Sequence, residues 1–140
     1  MGVLVGLDLG EKRVGVAKSD ETGTIAEAYA TLTYKTKDDF LKQLKECLEE
    51  LKPEKIIVGL PETLSGERGF AAKKVLTMLD WLKERLSMEW VLWDERFTTV
   101  EAEAILLEAD LSRKKRRGIR DRLAAQRILQ SYLDTTRKDA

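Results

Sequence analysis

Residues 3–19 read Val3-Leu4-Val5-Gly6-Leu7-Asp8-Leu9-Gly10-Glu11-Lys12-Arg13-Val14-Gly15-Val16-Ala17-Lys18-Ser19. The stretch opens on a nearly continuous apolar run, the pattern of a strand buried on both faces and therefore central in a sheet. Gly10-Glu11-Lys12 reads as a tight turn, and Arg13 to Ser19 alternates as a second strand. Gly23 marks a further turn, and Ile25 to Thr33 reads as a third strand. Two tight connections between strands predict an antiparallel meander.

Beyond it the period changes. Thr36 and Asp39 form a capping-box-like helix start, Phe40, Leu41, Leu44, Cys47, Leu48 and Leu51 recur at helical spacing, and Pro53 ends the helix. Lys55 to Leu60 is a second buried-type strand closed by Pro61, and Glu62 to Gly69 is a polar loop. Val75, Leu76, Leu79, Leu82 and Leu86 mark another helix, and Glu89 to Asp94 another strand. Thr98 and Glu101 open a helix through Ala109, and Leu123, Ala124, Ile128, Leu129, Tyr132 and Leu133 define a last one. Helical crossovers imply parallel strands. The pattern predicts one mixed α/β domain over 1–134, its sheet covered by helices, with a polar tail at 135–140.

Composition removes whole chemistries. The 140 residues are 43% hydrophobic, enough for one core. They include no histidine, which excludes Ser-His-Asp and Cys-His catalysis and histidine-ligated zinc. The single Cys47 excludes an internal disulfide framework and suits a reducing cytoplasm. No run has the apolar length of a membrane span, and the N-terminus lacks a signal-peptide pattern. Charged residues make up 36% and asparagine is absent, features of heat-adapted proteins. Catalysis, if present, must use carboxylates, hydroxyls, Lys, Arg or a metal ion.

The zero net charge conceals an asymmetry. Residues 112–140 hold 10 basic and 3 acidic groups, a net of +7, and the rest of the chain carries −7. Most of the excess lies in Arg113, Lys114, Lys115, Arg116 and Arg117, followed by Arg120 and Arg122. Five adjacent cations repel one another and read as an exposed, mobile loop. Such a run is either a solvated surface or a phosphate-binding strip for nucleic acid.

Three acidic points stand out beside it. Asp8 ends the central strand, where ligand sites of open α/β sheets lie, and a carboxylate there must be solvated, paired or metal-bound. A simple turn cap for Leu9-Gly10 is the plainer alternative. Asp94 and Glu95 end the last strand. Alternation puts Glu95 with Trp93 and Val91, and Asp94 with Leu92, so only one of the two aims at a given face. Local pattern does not choose between them, although reach favours Glu95. Asp121 precedes Ala125, Ile128 and Leu129 at helical spacing, which places it on the inner side of the last helix. A favourable interaction with the helix dipole explains acid in a first turn, but not on the inner face among cations. Carboxylates brought together repel unless a cation sits between them, and oxygen-only ligands select hard ions such as Mg²⁺ or Mn²⁺. The joint expectation is a carboxylate-metal phosphodiesterase with the basic run holding a nucleic-acid backbone. Trp81, Trp90 and Trp93 sit among Leu82, Val91 and Leu92 and read as core rather than base-stacking residues.

Four blocks in order, Gly6 through Ala17, Val58-Gly59-Leu60-Pro61, Asp94-Glu95-Arg96-Phe97-Thr98-Thr99, and Asp121 through Ala124-Ala125 to Ile128-Leu129, resemble the YqgF/RuvX family over nearly the whole chain. The resemblance implies an RNase H-like fold with a five-stranded sheet and a cytoplasmic nuclease maturing the 5′ end of pre-16S rRNA. Holliday-junction resolution on branched DNA is the older proposal for the family. Carried over by position, the family's acids match Asp8, Glu95 with Asp94 adjacent, and Asp121, while Lys12 and Arg13 match its basic signature and reach phosphate. RuvC-type resolvases have a further acid soon after the last-helix Asp. Here those positions are Arg122, Leu123, Ala124 and Ala125, and Ile56 to Leu60 carries no carboxylate. A catalytically silent RNA-binding assembly factor is therefore the alternative of a different class. An ATPase reading of Gly6-Leu7-Asp8-Leu9-Gly10 requires two large lobes, and the chain supplies one.

Overall fold

A computed structural model describes residues 2–61, 69–94 and 113–137. Five strands form one sheet: β1 (Leu4–Leu9), β2 (Arg13–Ser19), β3 (Ala26–Thr33), β4 (Lys55–Leu60) and β5 (Trp90–Asp94). Their spatial order is β3-β2-β1-β4-β5. β1–β2 and β2–β3 are antiparallel, and β1–β4 and β4–β5 are parallel. The expected meander and crossovers are thus present, with β1 in the middle.

β1 reads as continuously apolar because both of its faces are covered. Val5 and Leu7 join the larger core with Phe40, Leu44, Val75, Leu79 and Leu82. Those residues come from α1 (Lys37–Leu51) and α2 (Phe70–Arg85). Leu4 faces the other way, into a second core with Ala125, Ile128, Leu129 and Leu133 of α3 (Arg113–Arg137). Among the described residues, two helices therefore pack one face and a single 25-residue helix packs the other.

Local chemistry explains the ends of α1. The Thr36 hydroxyl accepts the Asp39 N–H at 3.1 Å, as the capping pattern predicts. At the other end Lys52 adopts a left-handed conformation, φ 47°, and its N–H returns to the Leu48 carbonyl before Pro53. Phe40 and Leu44 are fully buried, each stabilising the fold by about 1.5–3 kcal/mol. Cys47 packs against the same core, and burial, then Glu50 and Glu46, push its thiol up from 9.0. Trp81 and Trp90 also pack on that core, and Trp93 packs on the core beneath α3.

One expectation is overturned. The basic stretch from Arg113 is not a loop but the opening turns of α3. Arg and Lys are strong helix formers, and successive side chains point about 100° apart around the axis, so sequence neighbours do not stack charge on charge. The helix also runs through Arg137, into the stretch read as a tail. The readings of Glu62 to Gly69 as a loop (all but Gly69), of Thr98 to Ala109 as a helix and of Glu95 as a ligand concern positions outside the described residues.

Candidate functional site

Asp8 is the penultimate residue of β1 and half-buried. Alternation along the strand puts it on the side of Leu4 and Gly6, the side covered by α3. Its lateral neighbour on β2 is Gly15.

Gly15 is the hinge of the arrangement. A Cβ there would fall onto the backbone carbonyl of Asp121. At Gly6 a Cβ would stand 2.8 Å from Leu129 Cβ and 3.0 Å from the Ala125 carbonyl. The two glycines cut a track across β1 and β2 in which α3 lies unusually close to the sheet. That track fixes the height and axial position of Asp121 beside the row containing Asp8. The small Ala125, fully buried, does the same from the helix side.

The Asp121 side chain is held as well. Arg13 Nε donates to Asp121 Oδ2 at 2.7 Å, with the two side chains 35% and 20% exposed. Arg13 lies two residues before Gly15 on β2, so it shares the Gly15 face. A carboxylate offers about four lone-pair positions, and a single-point contact from Nε leaves capacity for a further cation. Asp121 is eight residues into α3, about 12 Å from its start, and the first turn of α3 carries no acid. The helix dipole does not account for an acid so far inside.

Asp94 ends β5 opposite Leu60 of β4. Trp93 and Val91 pack in the α3-side core, whereas Trp90 packs in the opposite one. Alternation therefore puts Asp94 on the face away from α3, and Glu95 lies outside the described residues. Among the described residues no three acids, cysteines or histidines converge into a metal-binding group. Among the described residues, the Asp121 backbone lies over Gly15, the residue paired with Asp8, and its carboxylate is held by Arg13. Lys12 sits exposed in the β1–β2 turn, which is closed by the Gly10 N–H to the Arg13 carbonyl at 3.0 Å. Tyr34 braces the same turn, its hydroxyl donating to the Gly10 carbonyl at 2.6 Å and its N–H to the Lys12 carbonyl at 3.0 Å. Arg113, Lys114, Lys115, Arg116 and Arg117 lie on the same helix as Asp121, one to two turns ahead of it.

Sequence reasoning missed the positioning roles of Gly6, Gly15 and Arg13. The signal was one glycine inside each of two adjacent strands, which marks a close backbone approach.

A five-stranded sheet of order β3-β2-β1-β4-β5, with acids at the end of its central strand and on a last helix laid across it, defines an RNase H-like α/β domain. Comparison with solved structures agrees. RuvC of T. thermophilus in complex with Holliday junction substrate superposes with a TM-score of 0.60 at 15% identity, covering 100% of this chain and 98% of that one. Fowlpox virus resolvase with its substrate Holliday junction DNA gives 0.57 at 12% identity, covering 96% and 98%. Residues 2–135 match the family RuvX, described as Holliday junction resolvase. A protein of Halothermothrix orenii is 42% identical over 135 residues, 96% of each chain, and one of Thermoanaerobacter pseudethanolicus is 44% identical over 133 residues, 94% of this chain and 96% of that one. Both bear the name "Putative pre-16S rRNA nuclease". The chain belongs to the RuvX family. No described helix is long and apolar enough to cross a membrane.

Proposed function

We propose that this chain is a divalent-metal-dependent endonuclease that cleaves precursor 16S rRNA at its 5′ side in the cytoplasm, with Asp8, Glu95 and Asp121 as its reaction centre. The observation that carries the reading is the seating of α3 on Gly15, which sets Asp121 beside the row of Asp8. Relatives covering almost the whole chain bear a pre-16S rRNA nuclease name, which supplies the substrate.

The donor set suits a hard cation, because it is all oxygen and comes from a rigid strand end and a helix pinned to the sheet. Asp8 and Asp121 would hold Mg²⁺ or Mn²⁺, and Glu95 rather than Asp94 is taken to complete the set because Asp94 lies on the face away from α3. When bound, such an ion polarises the scissile phosphate and lowers the pKa of water, chemistry that a chain without histidine otherwise lacks. Arg13 keeps Asp121 from turning away and brings positive charge within reach of a phosphate. Lys12 and Arg113–Arg117 neutralise flanking phosphates, so affinity falls with salt.

Incubation of precursor rRNA with parent and Asp8→Asn protein, each with and without Mn²⁺, tests the proposal. Cleavage by the parent requires the ion, and Asp8→Asn loses at least about 100-fold, the upper range for disturbing even an outer-shell partner of a metal. Equal cleavage by the two proteins would refute the assignment. Binding of RNA without ion dependence or cleavage would instead mark an assembly factor. The family's resolvase description supports a second reading, cutting of four-way DNA junctions. Faster cutting of a junction than of RNA, by a symmetric dimer, would favour it.

A further inference from the structure

A cleft of about 910 Å³ opens on the other side of β1 from Asp8. Leu9, Tyr34, Pro61, Val75 and Met78 line it with apolar surface, and four lysines, Lys35, Lys37, Lys73 and Lys74, also line it. The four lysines are exposed, whereas Tyr34 and Val75 are buried. Leu9, Tyr34, Val75 and Met78 all belong to or pack on the α1–α2 core, so the cleft is a gap in that layer at the carboxyl ends of β1 and β4. Among its described lining residues the one acid is Glu11, and it forms an ion pair with Lys74. Lys37 Nζ stands 5.8 Å from the Trp81 ring centroid.

We propose that this cleft binds an unpaired stretch of the RNA strand next to the cleavage point, bases against the apolar floor and phosphates against the lysine rim. The proposal rests on the nuclease reading, whose substrate it extends. Three features select this occupant. An apolar floor beneath a rim of excess positive charge matches a nucleotide chain, in which a flat base alternates with an anion. Lysines spread over the β3–α1 connection, α1 and α2 act as point charges that track a backbone rather than grip one group. The cleft also adjoins the proposed reaction centre. Asp8 points to the α3 side and the next residue, Leu9, lines the cleft, so the proposed reaction centre and the cleft meet at the end of β1. The β1–β2 turn between them is fastened to α2 by Glu11–Lys74 and to the end of β3 by the Tyr34 hydrogen bonds. A strand leaving Asp8 and crossing this braced turn by Lys12 arrives at Lys35 and Lys73. A base-paired segment is too wide to put its bases on the floor, so the cleft discriminates for a single strand beside the cut.

The test is equilibrium binding, by fluorescence anisotropy in EDTA, of a labelled RNA hairpin with a single-stranded tail and of the same hairpin cut blunt. The parent binds the tailed RNA more tightly. Lys35→Ala/Lys37→Ala/Lys73→Ala lowers tailed affinity at least tenfold, flattens its salt slope by about 2, and leaves blunt affinity within twofold. The triple Lys→Arg variant retains the preference, which separates charge from a folding defect. Equal affinity of alanine variant and parent for tailed RNA would overturn the proposal, as would an equal loss on both hairpins. Competition by adenosine monophosphate without any tail preference would overturn it too, leaving a free-nucleotide site. If the lysines govern tail preference but the parent cuts no RNA with Mn²⁺, the nuclease reading falls and the cleft stands.

Discussion

Gly15 shows how one missing methyl group shapes the site. Its backbone is ordinary extended strand, so the requirement for glycine comes from the Asp121 carbonyl above it and not from conformational strain. Gly15→Ala must lift α3 from β2. The expected cost is about 1–3 kcal/mol, the usual range for overpacking, read as a lower midpoint in thermal or urea unfolding. Activity falls by more than stability explains, because Asp121 moves with the helix. Gly23 contrasts with it: its φ of 72° demands glycine for backbone reasons, far from the site, and Gly23→Ala costs about 1–2 kcal/mol without touching activity. The Arg13–Asp121 pair is partly solvated, so its contribution to stability is at most about 1 kcal/mol. Its value lies in orientation.

At the scale of elements, the β2–β3 turn has its own pH signature. Asp20 accepts from the Thr22 hydroxyl at 2.7 Å and from the N–H groups of Thr24 and Ile25 at 2.8 and 3.2 Å. These bonds, the Thr22 hydroxyl first, hold its carboxyl below the ordinary 3.8. A depressed folded value means the contribution is present above 3.8 and lost as pH falls through the folded pKa. Asp20→Asn therefore lowers Tm at pH 7, and the gap to the parent closes on acidification below 3.8. The helices were legible to different degrees. Thr36, the apolar stripe of α1 and Pro53 are local signals, and the structure follows them. The start of α3 is not legible, because repulsion between sequence neighbours argues for a loop, whereas a helix spaces those neighbours around its axis. Asp8 was legible as a strand-end acid. The close approach of Asp121 was not, because it depends on Gly15, 106 residues earlier, and such pairing leaves no local trace.

For the whole molecule the two faces of the sheet divide the labour. One face carries Asp8 and α3, the helix that bears both the basic run and Asp121, and the other carries the lysine cleft between α1 and α2. The mixed sheet and the central place of β1 followed from the long apolar run and the tight turns. The face assignment of Asp94 required knowing which core Trp90 and Trp93 join. The charge asymmetry makes a molecular prediction. Arg116→Ala/Arg117→Ala weakens RNA binding about equally across sequences and reduces the slope of log affinity against log salt by about 1.5, because phosphate contacts carry no sequence information. Measurement of affinity from low to high salt on two unrelated RNAs checks it. A sequence-dependent loss would mean that these arginines touch bases.

The bond between Arg13 and Asp121 joins residues 108 positions apart. On a ribosome, the first three strands emerge and can pair long before α3 has been made. Until that helix docks in the glycine track, the nascent chain carries Asp8 at a strand end without Asp121 beside its row. Under the proposed reaction centre the chain is thus born disarmed, and the docking of α3 is the arming step.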